Sequence, residues 1–347
     1  METRKCGKSA LELAVLGLGC WPFGGGKYWG GQDQRDVNQV VQAAVELGIN
    51  YFDTAEAYND GASEESLGIA IGAVPRDKVI IGTKISPSNT RPDALAAHCE
   101  QSLARLGTDY IDLYMVHWPI TAKAIAHFTA EPLTPPAVEE AFAALRKLQE
   151  QGKIRFIGVS NFAPNRLQEA LDTRTEIVIN ELPYNLLCRA IEYEALPYCV
   201  RNRVGILGYM ALLQGILADS YPSLDDVPTW QRRTRHFDAR KCAEVRHGES
   251  GAEPETNAAL EAIRRIACDY GRTMPELAIQ WAIANPALTC VLAGSRNVGE
   301  LTANVRAAEH PLPQEALARL DRATVALKRK LGPSFDYYET GAGDRTR

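Results

Sequence analysis

The chain reads as an α/β protein whose strand and helix units close into a (β/α)8 TIM barrel, and three observations point there. Short apolar runs alternate with stretches of helical period along nearly the whole sequence, the pattern of a parallel sheet covered by helices. Eight such runs of suitable spacing favour closure into a barrel over an open doubly wound sheet. Four polar residues, Asp53, Tyr58, Lys84 and His117, stand at or just past the ends of successive runs, at the rim where a barrel carries its chemistry.

The elements follow in order. A continuous apolar stretch predicts the first strand over 14–18, and helical period predicts a helix over 37–47. Asn50-Tyr-Phe-Asp53 is the second strand, followed by a helix over 64–71. Val79-Ile-Ile-Gly-Thr-Lys84 is the third, with a helix over 93–106, and Ile111-Asp-Leu-Tyr-Met-Val-His117 the fourth, with a helix over 138–149. Runs at 155–160, 177–181, 204–209 and 289–293 supply the remaining strands, alternating with helices over 166–171, 190–202 and 274–284. Long segments follow the first, fourth and seventh strands, over 19–31, 117–136 and 213–255; loops at that end of a barrel shape the site. One domain is expected over 1–330. Residues 331–347, with a Gly-rich polar end, read as a partly ordered tail free to fold over the mouth.

Composition narrows the class of function. With 347 residues, 46% of them hydrophobic, the chain can bury a large core, yet no apolar run approaches the length of a membrane span. A formal charge of −5 argues against a nucleic-acid partner. The polar start, Met1-Glu-Thr-Arg-Lys-Cys-Gly-Lys-Ser, lacks the apolar core of a secretory signal, and the eight cysteines include no Cys-x-x-Cys pair, so a reducing cytoplasm is expected. No metal is expected, because His98, His127, His236, His247 and His310 lack ligand spacing with one another or with cysteine.

The four rim residues suit proton transfer. A tyrosine hydroxyl, with a pKa near ~10, is a poor acid at neutral pH, but a neighbouring ammonium favours the phenolate. Lys84 is placed to lower the Tyr58 value, and a shift of two to three units needs roughly 3–4 kcal/mol. Asp53 at the adjoining strand exit keeps Lys84 charged. His117 is placed to hydrogen-bond and orient a carbonyl oxygen while Tyr58 delivers the proton. This set fits reduction of a carbonyl by an external hydride. Two other readings stand beside it. Gly17-x-Gly19 hints at a dinucleotide loop but lacks its third glycine, since position 22 is proline. A desolvated Lys84 would suit a Schiff-base aldolase, against which Asp53 argues by keeping the amine protonated.

Three stretches resemble the aldo-keto reductases: Gly48-Ile-Asn-Tyr-Phe-Asp-Thr-Ala-Glu-Ala-Tyr58 with Ser63-Glu-Glu-Ser-Leu-Gly68, then Ser102-Leu-Ala-Arg-Leu-Gly-Thr-Asp-Tyr-Ile-Asp-Leu-Tyr-Met-Val-His-Trp-Pro119, and Gly152-Lys-Ile-Arg-Phe-Ile-Gly-Val-Ser-Asn-Phe162. The resemblance implies a (β/α)8 barrel that binds NADPH or NADP+ in extended form across its mouth and acts on a small carbonyl or alcohol substrate. It assigns the general acid to Tyr58 and the supporting roles to Lys84, Asp53 and His117. It further implies that Ser160 and Asn161 hold the nicotinamide carboxamide and that Tyr209 stacks under the ring. Gly294, Ser295 and Arg296 would hold the adenosine 2′-phosphate, with Glu300 and Asn304 toward adenine. Arg296 favours NADPH, because a guanidinium meets a phosphate with paired charged hydrogen bonds. Trp21 and Trp118, ahead of Tyr28 and Trp29, are the expected substrate walls.

Two positions depart from the family pattern. Glu181 stands where glutamine usually contacts the carboxamide; an ionised glutamate loses the donor half of that pairing and sets a negative charge near the oxidised ring, which favours NADP+. Tyr209-Met-Ala-Leu lacks the usual Ser-Pro after the tyrosine, so the family's pyrophosphate contacts are not carried over there. The basic stretch 232–241 reads either as a phosphate-facing lid built on Arg232, Arg233 and Arg235 or as a solvated face. A family of this kind also includes redox-sensing regulatory subunits, as in potassium channels, so an NADP-binding sensor with weak turnover is the alternative to the enzyme.

Overall fold

In the computed structural model, which describes residues 1–242 and 245–347, eight parallel strands close into a barrel. They are Leu16–Gly19, Tyr51–Asp53, Ile80–Ile85, Ile111–Val116, Ile154–Ser160, Ile177–Pro183, Gly205–Tyr209 and Cys290–Gly294. The eighth pairs with the first through Val291 on Leu16 and Gly294 on Gly19, which completes the ring. The expected (β/α)8 fold is therefore the observed one.

The surrounding helices form for local reasons. In Gln34–Glu46, Val37, Val40, Val41 and Ala44 recur at helical spacing and are buried, and the Asp33 carboxylate caps the first turn by accepting from Arg35 N. Pro92–Leu106 starts on a proline and ends at Gly107, whose φ of 61° lies in the left-handed region. Thr273 and Glu276 form a capping box that starts Met274–Ile283.

Inside the barrel, Tyr51, Leu113, Met115, Ile179, Leu207 and Leu292 pack into one buried group beneath the rim. A Cβ at Gly82 would stand 2.0 Å from the Tyr51 hydroxyl, so glycine there leaves the phenol its place under Asp53. Packing and site are thus linked through one small residue.

Several elements differ from expectation. The apolar run at 14–18 divides: Glu12–Ala14 pairs antiparallel with Thr3–Lys5, and the barrel strand begins at Leu16. Arg4 of this hairpin donates to the Leu288 carbonyl at 2.8 Å, tying it to the turn before the eighth strand. The helix expected over 190–202 breaks into a 3-10 turn, Ala190–Glu192, and a helix, Ala195–Asn202. Helices Ala122–Phe128, Glu253–Asp269, Val298–Glu309 and Gln314–Leu331 were not legible as separate elements. Residues 243 and 244 of the long segment 213–255 lie outside the described residues.

The end of the chain, expected as a partly ordered tail, is seated against the barrel. Beyond Leu331, Phe335, Asp336, Tyr337, Asp344, Arg345 and Thr346 are buried. Arg345 donates twice to Asp336, at 2.8 and 2.7 Å, a paired geometry that offsets the cost of burying both charges. Among the described residues no helix is long and apolar enough to cross a membrane.

Candidate active site

The strand exits bring Asp53, Lys84 and the loop residue Tyr58 together around one buried ammonium. Lys84 Nζ donates to Asp53 Oδ2 at 2.6 Å, to the Thr54 carbonyl at 2.9 Å and to Tyr58 Oη at 3.2 Å. Tyr51, two residues before Asp53 and so on the same face of the strand, donates to Asp53 Oδ1 at 3.2 Å. Glu181, from the sixth strand, sets Oε2 at 3.4 Å from the same ammonium. The imidazole of His117 meets the Tyr58 ring edge-on, with centroids 5.6 Å apart.

Burial and these charges set the protonation states. Burial opposes the charge on Lys84, but Asp53 and then Glu181 hold its pKa above the ordinary lysine value. It stays an ammonium. Burial pushes the Tyr58 hydroxyl up; Lys84 pulls it back, while Asp53 and Glu181 push the same way as burial. The net direction is above an ordinary tyrosine, which corrects the expectation that Lys84 would leave the phenol more acidic than usual. The resting phenol keeps its proton. Burial, followed by the charges of Lys84, His127 and Arg345, drives His117 well below the usual histidine value, so it is a neutral imidazole.

The rest of the rim continues from these residues. Ser160 ends the fifth strand and donates to the Glu181 carbonyl at 3.1 Å. Asn161, at φ 65°, donates to the His117 carbonyl at 3.2 Å and accepts from Tyr209 Oη at 2.8 Å. Asparagine tolerates that left-handed backbone better than most residues. A cleft of about 1200 Å³ runs from Trp21 and Trp118 past Tyr58, His117 and Glu181 to Gly294, Arg296, Glu300 and Asn304. Ser295 is brought close but not to the cleft wall: it is buried and accepts from Asn304 Nδ2 at 3.1 Å.

Aromatic groups and the chain end wall the other side. Trp21 stacks on Tyr58 with centroids 5.7 Å apart and on Tyr28 at 5.0 Å. Arg345 lies 4.1 Å over the Trp118 ring, carrying the chain end to the mouth. His127, read in the sequence only for metal-ligand spacing, lines the cleft with Phe128 and Tyr338, and neither these nor Gln32 is marked there as a site residue. Gln32 accepts from Arg296 Nε at 2.8 Å and returns a bond to the Arg296 carbonyl at 3.1 Å, bracing the guanidinium across two loops. Tyr51 was discoverable by strand alternation; nothing local marks Gln32.

The arginines of the basic stretch 232–241 are not presented to the cleft together. Arg232 is spent on the Val227 and Asp225 carbonyls, and Arg235 pairs with Glu249 at 2.9 Å. Arg233 alone of the three lines the cleft, 4.5 Å over the Tyr28 ring, with no carboxylate partner among the described residues.

Barrel and rim together define a (β/α)8 protein with a long cleft and a cation-centred polar cluster at its strand exits. The family model described as "Aldo/keto reductase family" matches residues 15–324, and the chain belongs to that family of oxidoreductases. It is 33% identical over 320 residues to the aldo-keto reductase YhdN of Bacillus subtilis, covering 87% of each chain. It is 30% identical to an NADH-specific methylglyoxal reductase of Escherichia coli, covering 93% of this chain and 100% of the relative. Among solved structures, a thermostable aldo-keto reductase, Tm1743, in complex with the inhibitor epalrestat superposes with a TM-score of 0.72 at 28% identity, covering 93% and 100% of the two chains. An aldo/keto reductase from Klebsiella pneumoniae in complex with NADP and acetate superposes with a TM-score of 0.69 at 25% identity, covering 99% of each.

Proposed function

We propose that this protein is an NADPH-dependent carbonyl reductase that converts a small aldehyde or ketone to the alcohol in a reducing cytoplasm. One observation carries the reading: Tyr58 Oη lies 3.2 Å from an ammonium that Asp53 keeps charged, and a neutral imidazole faces the same phenol. His117 donates its remaining N–H to the carbonyl oxygen and orients it. Tyr58 gives its proton to that oxygen as negative charge develops, and Lys84 stabilises the phenolate left behind. Asp53 and Tyr51 hold Lys84 in place.

The cleft residues fit a nicotinamide cofactor. Glu181 Oε2 is buried without a hydrogen-bond partner, the condition of a polar group open to a carboxamide. Beside it, Ser160, Asn161 and Tyr209 form one bonded set at the same end of the cleft. When bound, NADPH supplies the hydride. Ser160, Asn161 and Glu181 would hold its carboxamide, Tyr209 its ring, and Arg296, with Gly294, Ser295, Glu300 and Asn304, its adenosine phosphate end. Trp21 and Trp118 bound the substrate. The aldolase alternative lacks a free amine, since all three Lys84 hydrogens are already donated.

Arg296 is the basis for NADPH over NADH. Replacing it with alanine should raise the Kd for NADPH about 10- to 100-fold, the worth of a charged hydrogen-bonded contact, and leave NADH nearly unchanged. Fluorescence titration of both cofactors checks this, and a wild-type protein that prefers NADH overturns it. The activity itself is tested by NADPH oxidation over a panel of aldehydes, ketones, sugars and pyridoxal. Rapid turnover with one class supports the enzyme; tight cofactor binding with negligible turnover supports a redox sensor.

A further inference from the structure

An ammonium has three hydrogens, and Lys84 spends them on Asp53 Oδ2, the Thr54 carbonyl and Tyr58 Oη. Glu181 Oε2 is a fourth claimant. It stands 3.4 Å from Nζ, the side chain is 3% exposed, and the oxygen has no hydrogen-bond partner. Two buried carboxylates therefore share one buried cation. The groups that face Glu181 add no further positive charge: Asp53 and Tyr51 on the second strand, Tyr58 after it, Tyr209 on the seventh and Cys290 on the eighth. Burial, with Asp53 next, pushes the Glu181 carboxyl up to about 8.

One ammonium does not compensate two buried carboxylates in full, and protonating the more distant one, Glu181, removes the excess buried charge. We infer that Glu181 carries a proton in the free protein and with NADPH bound, and releases it when NADP+ occupies the cleft. This rests on the nicotinamide reading of the cleft given above. The bond broken is the Glu181 O–H, the proton goes to solvent, and the carboxylate left behind faces the one positive charge that distinguishes the oxidised ring from the reduced one. Glu181 then selects the oxidation state of the cofactor in a pH-dependent way, which a glutamine at this position does not do.

The test is binding, with no turnover involved. NADP+ and NADPH are titrated separately into the protein by calorimetry, near neutral pH, in buffers of different ionisation enthalpy. NADP+ should release close to one proton more than NADPH. By fluorescence titration between about pH 6.5 and 9, the ratio of the NADP+ Kd to the NADPH Kd should fall by up to about tenfold per pH unit until Glu181 is ionised in the free protein. The 2′-phosphate, with a pKa of about 6, titrates in both cofactors and cancels in the ratio. In Glu181→Gln both differences should vanish. Equal proton counts for the two cofactors in the wild type, or the same pH-dependent ratio in Glu181→Gln, would overturn the inference. Failure of either cofactor to bind would instead overturn the nicotinamide reading, and this inference with it.

Discussion

Tyr58→Phe is expected to lower turnover by about 10²- to 10⁴-fold, the usual worth of a positioned general acid, while NADPH binds as it does to the wild type. Phenylalanine keeps the ring that stacks on Trp21 and meets His117, so the cleft wall is preserved and only the donor oxygen is lost. Steady-state kinetics on the best substrate of the panel, beside a fluorescence titration of NADPH, separates the two effects. Retained turnover would remove the general acid from the proposed mechanism. Lost cofactor binding would mean that the phenol is structural.

Lys84→Met should be costly in a second way. Losing the cation leaves Asp53 buried and uncompensated, and breaking such a pair costs about 3–5 kcal/mol. Urea unfolding should register that loss at neutral pH. A carboxylate whose pKa is raised in the folded state costs nothing once protonated, so the deficit should shrink as the pH falls toward about 4 and grow as it rises. Adding Asp53→Asn should restore much of the stability, because the uncompensated charge is gone, but none of the activity. Full stability in Lys84→Met alone would mean that Asp53 and Glu181 share a proton well enough to dispense with the amine.

The barrel was legible because most of its strands are short apolar runs bounded by polar exits, and the rim residues sit at those exits. Legibility failed where a partner far along the chain decides the outcome. The run at 14–18 contains no turn signal; it divides near Val15 because Glu12–Ala14 pairs with Thr3–Lys5. Composition marks the Gly-rich chain end only as a partly ordered tail, and what seats it is distant in sequence: Arg345 pairs with Asp336 and lies on Trp118. The direction of the Tyr58 shift is hidden in the sequence for the same reason. Lys84 and Asp53 are visible at neighbouring strand exits, but burial and a second carboxylate brought in by the sixth strand decide the sign.

The seating of residues 332–347 against the cleft separates two properties that are often measured as one. No barrel strand lies in that stretch, so a protease nick after Leu331 would leave every strand pairing in place. It would also strip Arg345 from Trp118, Tyr338 from the cleft wall and the Tyr337 carbonyl from Arg235 N. Such a clipped preparation would keep its barrel strands yet lose the buried Phe335 and Tyr337 along with part of the cleft wall, so mass spectrometry of the intact chain belongs beside any activity measurement.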